Sequence, residues 1–210
     1  MQIAIPIFDG LTALDAVGPY EVLARLPHTR VSFLAHSPGP KRTDNGSLAL
    51  MADGALRDLP DPEVIVVPGG RGTRALANDE ELLGWLRAAH AGSQWTTSVC
   101  TGSLLLGAAG VLEGLEATTH WLELETLARY GASPVERRVV EQGKVITAAG
   151  VSSGIDMALL LAARIAGEEA AHAIQLSIEY DPEPPFDSGS VAKASPHIAE
   201  RLRARAARRS

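Results

Sequence analysis

The chain has 210 residues, 46% of them hydrophobic and 21% charged, with a formal net charge of −6. That length and composition suit one globular domain with a full core. The acidic balance argues against general nucleic-acid binding, and no apolar run is long enough to span a bilayer.

The chain enters a strand at once, with no basic leader or cleavage site, which predicts a cytoplasmic protein. Residues 2–8 are almost continuously apolar, as in a central parallel strand, and Asp9-Gly10 ends the run. Residues 14–26 read as a helix, with Pro19 inside its first turns and Pro27 past its end. Residues 30–36 are a second strand, 37–40 a Ser-Pro-Gly-Pro turn, and 47–52 a short strand at an edge. Residues 63–67 are a buried strand ending in Pro68-Gly69-Gly70, and 79–91 have helix periodicity. Residues 95–99 are the next strand, followed by a helix over 104–112. Residues 118–120 are extended, and 122–130 are a helix closed by Gly131. Residues 138–141 and 144–148 flank Gln142-Gly143, a hairpin signal.

A very apolar helix over 155–165 packs on the sheet, and a further helix covers 168–180. Residues 181–189 are Pro-rich and extended, and the tail from Pro196 is helical. Its arginines (Arg201, Arg203, Arg205, Arg208 and Arg209) alternate with Leu and Ala. They read as the solvated face of a last helix or as a partner contact. Strands alternating with helices predict an α/β fold, a doubly wound, mostly parallel sheet with helices on both faces. The expected organisation is a single domain over residues 1–210, with an extended segment and helix from about residue 181.

In such sheets, sites form at the carboxyl ends of strands. Residues 9–15, Gly69-Gly70 and Cys100 all fall there. Cys100 is the only cysteine, which excludes an intramolecular disulfide framework and a multi-cysteine zinc site. It lies at a strand-to-helix seam in Ser98-Val99-Cys100-Thr101-Gly102, the pattern of a nucleophile elbow. The N–H groups and dipole of the following helix are expected to favour thiolate.

Asp15 is either a helix-start acid or, beside Cys100, a general acid/base. Gly69-Gly70 is either a close-packed turn or a source of a backbone N–H which, with that of Thr101, forms an anion-stabilising pair. The Thr101 hydroxyl either bonds locally or positions sulfur or substrate. His120, in Ala117-Thr118-Thr119-His120-Trp121, is either a structural histidine or the partner of a Cys–His dyad. His28, His36, His90, His172 and His197 sit in surface-like contexts, and no metal-ligand spacing occurs. Asp156 reads as a first-turn helix acid. Gly69-Gly70-Arg71-Gly72 lacks the Lys-Ser/Thr of a phosphate loop.

These pieces resemble the ThiJ/PfpI superfamily, the cysteine-elbow relatives of class I glutamine amidotransferases, and within it the isocyanide hydratase family. The resemblance runs nearly end to end. It is carried by Leu14-Asp15 with Gly18-Pro19, Val67-Pro68-Gly69-Gly70, the elbow, Ala117 to Trp121, Gly154-Ile155-Asp156, and Glu179-Tyr180 with Pro184-Pro185-Phe186. The elbow and the Ala-Thr-Thr-His-Trp motif are also similar to those of regulators that fuse this domain to an AraC-type module. Tyr180, Pro182, Pro184, Pro185, Phe186 and Gly189 match the hydratase pattern instead, and the chain ends without a regulator's second DNA-binding region.

The resemblance implies hydration of an isocyanide to an N-substituted formamide through a Cys100 thioimidate. Asp15 is then the acid/base, Thr101 the positioning hydroxyl, and the amides of Gly70 and Thr101 the donors. It implies no metal or organic cofactor, a small-molecule substrate, and a homodimer with the 180–189 segment near its interface. Asp15 stands where many superfamily members carry Glu, and Thr101 where peptidase- and glyoxalase-like branches carry His. The alternatives are a glyoxalase- or deglycase-like enzyme of reactive carbonyls, or a non-enzymatic ligand or redox sensor.

Overall fold

The computed structural model describes residues 1–208, which form two compact units, one from Met1 to Ile178 and one from Glu179 onward. In chain order the first unit contains β1 (Gln2–Pro6), α1 (Ala13–Leu23), β2 (Arg30–Ala35), β3 (Gly39–Arg42), β4 (Ala49–Ala52), β5 (Gly54–Ala55) and β6 (Val64–Val67). It continues through α2 (Thr73–Leu76), α3 (Glu80–Gly92), β7 (Trp95–Val99), α4 (Gly102–Ala108), β8 (Glu116–Ala117), α5 (Leu124–Ala128) and β9 (Ser133–Pro134). It closes with β10 (Val139–Gln142), β11 (Val145–Ala148), α6 (Ser153–Ala166) and α7 (Glu168–Ser177).

Seven strands form one sheet in the order β10-β11-β7-β6-β1-β2-β5. All neighbours are parallel except β10 with β11, the expected hairpin. The central strands are apolar on both faces, because helices cover both: Ile3, Ile5, Val64, Ile65, Val66 and Val67 are fully buried. One helical layer is built from α1, α6 and α7 and the other from α3, α4 and α5. The chain steps from β1 outward to β2, then returns to β6 on the other side of β1. That reversal is a topological switch point at the carboxyl ends of β1 and β6, where this class of sheet places ligands.

Several local expectations are corrected. Residues 39–42 are a strand, paired antiparallel with β4, where Ser-Pro-Gly-Pro signals a turn; a two-stranded ribbon outside the main sheet tolerates Pro40. The helix after Cys100 begins at Gly102 and ends at Ala108, with Gly110 at φ 79° turning the chain away. The extended pair is Glu116–Ala117, not residues 118–120, and residues 121–123 form a 3₁₀ turn ahead of α5. Helix α7 stops at Ser177, and Glu179 at φ 49° ends the helical path.

The second unit contains α8 (Pro196–Ala207), with Ser195 at its N-cap and Pro196 in its first turn. Arg201, Arg203 and Arg205 are exposed on it and Arg208 is exposed at its C-cap; Arg209, read with them, lies outside the described residues. No helix among the described residues is long and apolar enough to cross a membrane.

Candidate active site

Each site residue arrives from the carboxyl end of a strand. The chain leaving β1 runs through Asp9 to Thr12 into α1, whose third residue is Asp15. The chain leaving β6 supplies Gly69 and Gly70, and the chain leaving β7 supplies Cys100 and Thr101. Their close approach fixes the sequence. A Cβ on Gly69 would lie 2.5 Å from the Thr101 nitrogen and 2.9 Å from Asp15 Oδ2. A Cβ on Gly102 would lie 2.0 Å from the Val67 carbonyl oxygen. Only glycine fits at either position.

Cys100 has φ 55°, a left-handed conformation unusual for a residue with a Cβ. This is the elbow expected from the seam, and it is held from three sides. The Cys100 N–H donates to the Ala148 and Ala149 carbonyls at 3.0 Å, and the Cys100 carbonyl accepts from Thr119 Oγ1 at 3.0 Å and Ser103 Oγ at 3.1 Å. Strain of this kind persists where the surroundings over-determine the backbone.

Asp15 is fully buried. Its Oδ2 accepts from the Gly69 N–H at 3.0 Å, and its carboxyl group meets the Cys100 thiol. Oδ1 has no partner of good hydrogen-bond geometry. A buried carboxylate oxygen left open beside a thiol is positioned to exchange a proton with it or with a bound molecule. Burial raises the Asp15 pKa from 3.8 to about 7, against the lowering effects of the Gly69 N–H and the thiol.

Burial also pushes the Cys100 thiol up, and the Asp15 charge adds to the shift. The Thr101 and Val151 N–H groups and the Thr101 hydroxyl lower it only in part. The expectation of a resting thiolate is thus corrected. Helix α4 does aim the Thr101 N–H at the sulfur, but desolvation and a neighbouring carboxylate outweigh it. Burial and the facing Asp15 therefore both favour the protonated thiol.

Thr101 Oγ1 accepts from the Gly70 N–H at 2.9 Å, and its own proton is directed to the Gly70 carbonyl at 3.2 Å or to the sulfur. The Gly70 N–H, read from the sequence as a donor facing the sulfur, is therefore engaged by the Thr101 hydroxyl. The second backbone donor to the sulfur is instead Val151, which sequence reasoning missed. Its φ of 26° is a sharp outlier for a β-branched residue, and Gly150-Val151-Ser152 carries no signal of it. The Thr119 contact was also missed, although it lies in the motif read for His120.

His120 caps the 3₁₀ turn, its Nδ1 accepting from the Leu122 N–H at 3.3 Å, with its ring edge against Gly150. Burial lowers its pKa. His36 and His90, read as surface-like, are half-buried and bonded to Asp79 Oδ1 at 3.0 Å and Thr96 Oγ1 at 2.8 Å. Asp156 is a first-turn acid of α6, as expected, and pairs with Arg138. No group of three His, Cys, Asp or Glu side chains among the described residues could hold a metal ion.

A topological switch point, a cysteine on a strained strand-to-helix elbow and a buried carboxyl beside the thiol define a cysteine-elbow α/β protein. The chain belongs to the DJ-1/PfpI family, whose model matches residues 1–164. It is 44% identical over 207 residues to the isonitrile hydratase of Pseudomonas putida, covering 99% of this chain and 90% of that protein. It is similar in structure to a ThiJ/PfpI family protein from Pseudomonas syringae, with TM-score 0.95 and 39% identity over 99% of this chain and 86% of that one. It is 31% identical over 181 residues to the HTH-type transcriptional regulator CdhR of Pseudomonas aeruginosa, covering 84% of this chain and 52% of the regulator.

Proposed function

We propose that this protein is an isocyanide hydratase, converting R–N≡C and water to R–NH–CHO through a Cys100 thioimidate. The near full-length similarity to a curated isonitrile hydratase carries this reading, and the buried Cys100–Asp15 pair supplies a route. An isocyanide has its lone pair and its electrophilic site on one carbon, so nucleophile and acid must face the same atom. Asp15 carboxylate takes the thiol proton as sulfur forms its bond to that carbon, and delivers it to the carbon, giving Cys–S–CH=N–R. Asp15 then takes a proton from water as the oxygen adds to the same carbon. Asp15 passes that proton to nitrogen, the C–S bond breaks as the hydroxyl oxygen forms the C=O, and the hydroxyl proton returns to sulfur. Proton transfer by a positioned group contributes about 10²- to 10⁴-fold.

Thr101 and the Thr101 and Val151 N–H groups steady the sulfur while it carries charge. Gly70 acts by fixing the Thr101 hydroxyl. His120 supports the loop beside the site. The route requires no metal or organic cofactor.

We read the protein as a cytoplasmic homodimer acting on a small molecule, its family domain carrying a C-terminal extension from about residue 181. In this reading the exposed Leu14 on α1 and Leu48 and Met51 on the β3–β4 arm are covered by the partner subunit. The similarity to a transcriptional regulator favours ligand sensing as a second reading; Cys100, only 5% exposed, lacks the solvent access that redox sensing needs.

The test is turnover of an aryl isocyanide to its formamide by the wild type, Cys100→Ala and Asp15→Asn. Turnover lost in both variants is the expected result. Absence of turnover by wild type with its thiol reduced overturns the hydratase reading.

A further inference from the structure

The segments that hold the nucleophile are closed into a ring, one link of which the reaction scheme leaves unused. Leading away from Cys100 on one side, Thr101 Oγ1 accepts from the Gly70 N–H at 2.9 Å, and the Gly70 carbonyl accepts from Thr73 Oγ1 at 2.8 Å. The next residue is Arg74, on the one-turn helix α2. On the other side, the Cys100 carbonyl accepts from Thr119 Oγ1 at 3.0 Å, and the His120 carbonyl accepts from the Glu123 N–H at 2.8 Å. Arg74 Nη2 meets Glu123 Oε1 at 2.5 Å and completes the circuit.

The link is asymmetric. The Glu123 side chain is only 16% exposed and is held by Thr126 Oγ1 at 2.9 Å, whereas Arg74 is 48% exposed. A prefixed carboxylate thus receives a solvent-side cation. Helices α2 and α5, on either side of the ion pair, both pack on α4, the helix that follows the nucleophile. The other hydrogen bonds in the ring join segments next to each other in the site; the ion pair ties the Gly70 loop to the Thr119 segment from outside.

We propose that Arg74 and Glu123 are positioning residues that hold the Gly70–Thr101 donor arm in register with the Cys100 carbonyl clamp, and so set the reactivity of the sulfur. This rests on the reading of Cys100 as the nucleophile, but not on the identity of the substrate. Breaking the pair should let the Gly70 loop and Thr101 hydroxyl drift from the sulfur while leaving substrate contacts in place.

The experiment follows two rates in wild type, Arg74→Gln, Glu123→Gln, the double variant and Arg74→Lys. One is kcat and KM on an aryl isocyanide; the other is Cys100 alkylation by iodoacetamide, which needs no hydratase activity. The expected result is a fall of about 3- to 5-fold in kcat and in alkylation rate for each Gln variant, the scale of one exposed ion pair. KM should be unchanged, the double variant no worse than either single, and Arg74→Lys close to wild type. Unchanged alkylation in Arg74→Gln, or losses that multiply in the double variant, would overturn the proposal. Slowed alkylation in a protein that turns over no isocyanide would keep it and reject the hydratase reading alone.

Discussion

Asp15 and Cys100 are titratable groups buried against each other, and the consequences are measurable. Because the Asp15 pKa is raised to about 7, kcat should rise with pH through an apparent pKa near 7 that belongs to the pair. A profile flat from pH 6 to 8 would contradict this. The same shift has a stability sign. The folded state binds the Asp15 proton up to about pH 7 and the unfolded chain only to about 3.8. Stability contributed by this group therefore falls as pH rises between those values and stays low above them. Asp15→Asn removes the penalty, so thermal scans at pH 8 should show a higher Tm in the variant, with little difference at pH 4. The identities of these residues were legible in the sequence, since a lone cysteine at a strand-to-helix seam and an acid at the first helix are local patterns. Their protonation was not: burial of Cys100 and the facing charge of Asp15 depend on three loops meeting, which no local pattern encodes.

At the scale of elements, the site depends on how closely β6 and β7 deliver their loops. The 2.0 Å between a Cβ on Gly102 and the Val67 carbonyl predicts that Gly102→Ala destabilises the fold by about 1–3 kcal/mol through forced backbone shifts, read by urea denaturation. Gly69→Ala should instead act mainly on chemistry, because its Cβ would press Thr101 and Asp15 apart. Turnover should fall at least tenfold while the secondary structure, followed by circular dichroism, survives. The parallel strands were readable because helices on both faces demand continuous apolar runs, as in residues 64–67. The β3–β4 ribbon was not, since Pro38-Gly39-Pro40 carries strong turn chemistry and its pairing with β4 is set outside the main sheet. Val151 was equally unreadable: its φ is imposed by the turn from β11 into α6 and not by its own side chain.

For the whole molecule, the order of the sheet explains why residues 15, 69 and 100 converge. Alternation of strand and helix predicted the doubly wound class, and the reversal between β1 and β6 brings their carboxyl-end loops together. The homodimer reading predicts twice the chain mass by light scattering. Met51→Lys, 58% exposed in the single chain, should weaken the dimer while changing protomer stability by no more than about 0.5 kcal/mol. A monomer at micromolar concentration would contradict that reading.

Covalent hydration through Cys100 is open to rapid-quench intact-protein mass spectrometry during turnover of an aryl isocyanide. A thiol adding across the isocyanide carbon loses no atoms. The expected result is therefore a transient species heavier than the protein by the full mass of the isocyanide, mapped to the peptide containing Cys100 and absent in Cys100→Ala. Steady formamide production with no such species, and with turnover retained in Cys100→Ala, would show that water attacks directly and would contradict it.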